Sequence, residues 1–172
     1  MPTPNELAEM FLNGEYIIDI DGSVWRDTFL LLAKRGEPEL SVKHKAHMLW
    51  TVNGGHLRRK IQDDRLVLCV LKKYLPGYGG SGLWLYRGEC QFLHEKNLIG
   101  FCWSPKIEVA ERFASGLNAI ESGGILLKAY APPEAILAEP NQHSAVQMEE
   151  FEYTCDPWLL KEIEIVKSFP AS

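Results

Sequence analysis

The sequence predicts an α+β fold, helices first and a mainly antiparallel sheet after. Three observations carry this expectation. Apolar residues recur at helical spacing through the first 76 positions. The run Gly77-Tyr78-Gly79-Gly80-Ser81-Gly82 then interrupts any regular element. After it the chain breaks into short segments rich in apolar, aromatic and β-branched residues, bounded by Gly, Pro or Asp.

In the first half, residues 24–33 place Trp25, Thr28, Phe29 and Leu32 on one stripe, and Gly36 with Pro38 supplies a stop. Residues 46–52 form a short apolar run that Asn53-Gly54-Gly55 is expected to end. Asp63 or Asp64 can cap a further helix through Leu66, Cys69, Val70 and Lys73, stopping before Pro76-Gly77. In the second half, strands are expected at 83–86, 99–103, 124–131, 135–138, 151–155 and 162–166. The last alternates Glu162, Ile163, Glu164 and Ile165, the pattern of a strand with one wet face. A chain of 172 residues suits a single domain, 1–172, with a helical part over 1–76 and a β-rich part over 83–166.

Bulk properties narrow the function classes. No apolar run approaches the roughly 18 residues of a membrane span, so no membrane association is expected. The N-terminus lacks the basic-then-apolar pattern of a secretory signal. The expected location is therefore cytoplasmic, and export by a route that reads no N-terminal signal is compatible with it. Cys69, Cys90, Cys102 and Cys155 have no paired short spacing and read as reduced core or near-core thiols. His44 and His47 share a helical face but lack a third ligand at matching spacing, so no metal is expected. The net charge of −5 argues against a protein that binds nucleic acid by neutralising phosphates. Residues 34–73, however, hold ten Lys or Arg against four acids, so that segment is +6 and the remainder −11. It reads either as solvated helix faces or as a docking surface for an acidic partner or a nucleic acid.

Three constellations carry chemistry. Tyr86-Arg87-Gly88 ends the first expected strand. A guanidinium in an apolar setting needs an anionic partner, its fork matches phosphate oxygens, and Gly88 would let a group approach the backbone. A carboxylate of this chain would serve Arg87 equally well. Gly100-Phe101-Cys102-Trp103-Ser104-Pro105 follows, with Ser104 as an N-cap and Pro105 as the first residue of a helix carrying Ile107, Ala110, Phe113, Ala114 and Leu117. In Glu149-Glu150-Phe151-Glu152-Tyr153-Thr154-Cys155-Asp156-Pro157, Glu150 and Glu152 would project from one face of a strand. Two adjacent carboxylates cost stability and suit acid–base or charge-stabilising work, while a wet strand face explains them as well.

Taken in order, Arg-Gly at a strand end, aromatic-Ser leading into Ala110-Glu111-Arg112-Phe113-Ala114, and Glu-x-Glu-aromatic on a late strand resemble the NAD-dependent ADP-ribosyltransferases of the Arg-Ser-Glu class. The resemblance covers about half the chain, and Trp103-Ser104-Pro105 stands where that family usually shows Ser-Thr-Ser. It implies a split, mainly antiparallel β-core behind N-terminal helices, and NAD as substrate with no metal. Arg87, with Gly88, would bind the phosphates of NAD. Ser104 would hold the catalytic glutamate by a hydrogen bond, and Phe113 would line the nicotinamide pocket. Glu152 would stabilise the ribosyl cation as nicotinamide leaves. Glu150 would orient or deprotonate a macromolecular acceptor, most simply a protein and in this family often an arginine. The expected activity is mono-ADP-ribosyl transfer or NAD hydrolysis, in a toxin, effector or phage-type modifier. The alternative is a non-catalytic binding or inhibitory protein on the same fold, using the basic 34–73 segment.

Overall fold

The computed structural model describes residues 1–172, which form two compact units, Met1–Gly77 and Tyr78–Ser172. The fold is α+β, as expected. Where one domain was expected, the boundary between units falls at the junction of the helical and β-rich parts.

The first unit holds four helices: α1 (Pro4–Leu12), α2 (Gly22–Lys34), α3 (Leu40–Ile61) and α4 (Asp64–Tyr74). A capping box between Thr3 and Glu6 starts α1, satisfying two otherwise orphaned amides. Trp25, Thr28, Phe29 and Leu32 are the buried stripe of α2, as their spacing predicts. Phe11 lies edge-on to Phe29 and Tyr74, with ring centroids 5.5 and 6.2 Å apart. The Tyr74 hydroxyl donates to Leu32 O at 3.1 Å.

Two expectations are corrected in this unit. Helix α3 runs straight through Asn53-Gly54-Gly55. A Cβ on Gly54 would come within 2.7 Å of the Trp50 ring, so that glycine makes room for the indole rather than ending the helix. Asp63 does cap α4, but its buried stripe is Val67, Leu68, Val70, Leu71 and Tyr74, which leaves Cys69 exposed.

The second unit holds β1 (Leu83–Cys90), α5 (Gln91–Glu95), β2 (Cys102–Trp103), α6 (Ile107–Ser115), β3 (Gly124–Ala131), β4 (Ile136–Ala138), β5 (Tyr153–Cys155) and β6 (Lys161–Phe169). They form two three-stranded antiparallel sheets, ordered β1-β3-β6 and β2-β5-β4. The sheets meet where Tyr86 and Ser104 exchange backbone hydrogen bonds of 2.7 and 2.9 Å. Side-chain alternation sends Leu85 to the face where Trp103, Ile125, Leu127, Ala129 and Cys155 form the core. Helix α6 covers the other face, where Ala110, Ala114 and Leu126 pack together. Strand β6 departs from the expected clean alternation: Ile163 packs against the core, whereas Ile165 is exposed. It is an edge strand, and register shifts opposite Leu126/Leu127 and Lys128/Tyr130 disturb its pleat.

Candidate functional site

Arg87 lies inside β1, not at its end, because the strand continues to Cys90. Alternation puts Leu85, Arg87 and Glu89 on the face toward the second sheet. Nε of Arg87 donates to Glu89 Oε2 at 2.8 Å and Nη1 donates to Cys102 O at 2.9 Å. The guanidinium lies flush against Gly100, where a Cβ would fall 2.1 Å from Nη2 and 2.3 Å from Cζ. Glu89 is 1% exposed and also accepts the amides of Gly100 and Cys90, each at 2.9 Å. Burial alone would raise the pKa of Glu89, but the charge and hydrogen bond of Arg87, with the two amides, bring it below the ordinary carboxylate range. Burial likewise opposes the charge on Arg87, yet Glu89 holds its pKa above the usual value.

The acidic segment is built differently from the expected strand. Strand β5 begins only at Tyr153, and Glu149 and Phe151 adopt left-handed φ angles of 55° and 52°. The chain instead closes around Ser144, which is buried in the helical turn His143–Gln147. Ser144 O accepts the amides of Glu150 and Phe151 at 2.9 and 3.3 Å, and its Oγ accepts the amide of Glu152 at 2.7 Å. Lys106 Nζ sits 4.0 Å from the centroid of the Phe151 ring.

Glu152 keeps some contact with solvent, but protein surrounds its carboxyl closely enough that burial raises its pKa. A hydrogen bond from the Cys102 thiol opposes that rise, Glu150 adds to it, and Arg87 and His143 oppose it, leaving the group pushed up to about 7. Burial and the charge of Glu152 drive the Cys102 thiol well above its ordinary range, so it stays protonated and able to donate. Arg87, Glu152, Glu150 and Cys102 thus form one interacting group.

Three residue roles are corrected. Ser104 neither caps α6, which starts two residues after Pro105, nor bonds the Glu152 carboxyl. Its Oγ donates to the backbone carbonyl of Glu150 at 2.8 Å and accepts the Lys106 amide at 3.1 Å, so the serine anchors the acidic segment. Gly88 admits no ligand: a Cβ there would fall 2.3 Å from Ala110 O, because α6 packs directly on it. Phe113 travels with that helix, on the face of β1 opposite Arg87, and does not join the group. Glu89 and Ser144 are site residues that sequence reasoning missed, and Gly100 and Cys102, named only as part of the run leading to Ser104, take roles there that the sequence did not assign.

At least five of the ten basic residues in 34–73 are engaged within the first unit. Arg35 pairs with Glu9, Lys43 with Glu37 and Arg58 with Asp64. Lys60 donates to Ile20 O, and Lys73 to Ala33 O and Arg35 O. The chain gathers no group of three or more His, Cys, Asp or Glu able to hold a metal, and no helix is long and apolar enough to cross a membrane.

No protein-family model, curated protein or solved structure matches this chain.

Proposed function

We propose that residues 78–172 form the catalytic core of an NAD-dependent mono-ADP-ribosyltransferase on an ADP-ribosyltransferase-like split β-core, with NAD hydrolysis as the same chemistry run onto water. One observation carries the reading: Arg87 and Glu152 interact within one site, the arginine anchored through Nε and Nη1 with no protein hydrogen bond on Nη2, the glutamate shielded and titrating near 7. Their joint occurrence suits a substrate that is anionic at one end and develops positive charge at the other.

Breaking the bond between ribose C1′ and the nicotinamide nitrogen builds positive charge on the sugar. A fixed carboxylate in a poorly hydrated site stabilises that charge more than it stabilises the ground state. Glu152 supplies it when ionised. The Arg87 fork suits the phosphate oxygens, with Nη2 as the donor that Glu89 and Cys102 leave unengaged. Glu150 is near enough to act electrostatically on Glu152, which suits it to take the proton of an acceptor as the acceptor's bond to C1′ forms. A protein arginine is the acceptor that the Glu-x-Glu pair favours. The competing idea of a docking surface on 34–73 gains less support, because at least five of its ten cations already serve contacts inside the first unit.

The test is incubation of the purified chain with NAD labelled in its adenylate part and an arginine-rich acceptor, beside Glu152→Gln and Glu150→Gln. Glu152→Gln is expected to abolish nicotinamide release, while Glu150→Gln releases nicotinamide without labelling the acceptor. A wild-type chain that neither binds nor turns over NAD sinks the proposal.

A further inference from the structure

We propose that Glu89 is a positioning residue, which fixes the direction of the Arg87 guanidinium and sets how strongly its charge acts on Glu152. Nothing in the motif that suggested Arg87 and Glu152 includes this glutamate, and the inference rests on the proposed function only in taking those two as the working pair.

The geometry assigns the role. A surface ion pair would leave the arginine free to swing, and would need only one contact. Here Glu89 takes Nε, the inner edge of the guanidinium, while Cys102 O takes Nη1 and Gly100 supplies a flat wall with no side chain. Two hydrogen bonds and a plane leave the fork one orientation. Glu89 is itself immobilised, since its two oxygens accept from three parts of the chain: Arg87 in the strand, the Cys90 amide at its end, and the Gly100 amide ahead of β2. So dense a donor set is what a fully buried carboxylate requires.

Charge follows from the same arrangement. Arg87 is shared between Glu89, at hydrogen-bond distance, and Glu152, which also feels Cys102, Glu150 and His143. Around Glu89 the other titratable neighbour is Cys90, itself under the influence of Glu121. The negative charge of Glu89 therefore offsets part of the guanidinium charge that reaches Glu152.

The experiment follows the Glu152 carboxyl carbon by NMR through a pH titration of the full chain, in wild type and in Glu89→Gln. Neutralising Glu89 is expected to lower the Glu152 midpoint by about half a pH unit or more. A midpoint that stays or rises overturns the proposal, and a purely structural role would not lower it. Should Glu89→Gln fail to fold, the wild-type Arg87 Nε–H resonance decides: protection from solvent exchange supports the buried bond, and rapid exchange overturns it. Neither readout depends on NAD turnover. A wild-type chain inert toward NAD, with the midpoint lowered in Glu89→Gln, would reject the ADP-ribosyltransferase reading and leave the role of Glu89 standing.

Discussion

Ser144 holds Glu152 in place through a 2.7 Å hydrogen bond from the glutamate's amide to the serine Oγ. The serine is 1% exposed, so no water replaces that acceptor when it is removed. Ser144→Ala is expected to cost about 1–2 kcal/mol locally, the usual penalty of a buried amide left without its partner. Exchange of the Glu152 amide should accelerate about tenfold or more, and transfer should fall further than NAD binding does. Unchanged exchange at Glu152 would show that the segment is held by something else.

Transfer should depend on pH through Glu152. Its carboxyl titrates near 7, so the ionised form needed for charge stabilisation is lost as pH falls below that value, and the rate should drop about tenfold per unit on the acid side. The Cys102 thiol favours the ionised form, so Cys102→Ala should move the acid limb to higher pH. The linkage to stability has the opposite sense. A folded pKa raised above the ordinary value of 4.5 contributes stability at low pH, and that contribution disappears as pH rises from about 4.5 through about 7. A rate profile flat from pH 5 to 8 would remove Glu152 from the chemistry.

Gly88 and Gly100 separate packing from positioning. A Cβ on Gly88 would lie 2.3 Å from Ala110 O and 2.5 Å from Ala114 N, both backbone atoms of α6 that have little room to give. Gly88→Ala should therefore cost about 1–3 kcal/mol, read as a lower urea midpoint. A Cβ on Gly100 meets the Arg87 guanidinium instead, which can shift only by giving up its bonds to Glu89 and Cys102 O. Gly100→Ala should displace the guanidinium, weakening NAD binding more than Gly88→Ala does. The reverse order would contradict the assigned roles.

How much of this was legible in the sequence follows from the range of the interactions. The α2 stripe, the Asp63 cap and strand β3 at Gly124–Ala131 were readable because each is written in residues a few positions apart. The passage of α3 through Gly54 was not, because a glycine signals a stop unless the fit of the Trp50 ring against it is known. The pairing of Arg87 with an internal carboxylate was left open beside a phosphate role, and the structure contains the carboxylate while leaving Nη2 unengaged. The site roles of Ser144, Gly100 and Cys102 were not legible because their partners come from separate loops and strands. Placing Glu150 and Glu152 on a strand failed because Ser144 gathers their amides, which forces the left-handed turns at Glu149 and Phe151.

His47 makes the helical unit sensitive to acid. It lies on the buried face of α3 at 5% exposure, and burial, reinforced by nearby His44, lowers its pKa from 6.5 to about 4. Between those values the unfolded chain binds a proton that the folded chain refuses. Stability is therefore fully present above about pH 6.5 and is lost as pH falls toward 4. A shift of that size corresponds to about 3 kcal/mol at most. His47→Leu cannot take up the proton in either state, so its unfolding free energy should fall less between pH 7 and 4 than the wild type's, by an amount approaching that figure. Urea titrations at several pH values, followed through amide exchange in α3, measure the difference. Parallel pH profiles for wild type and His47→Leu would place the acid sensitivity elsewhere.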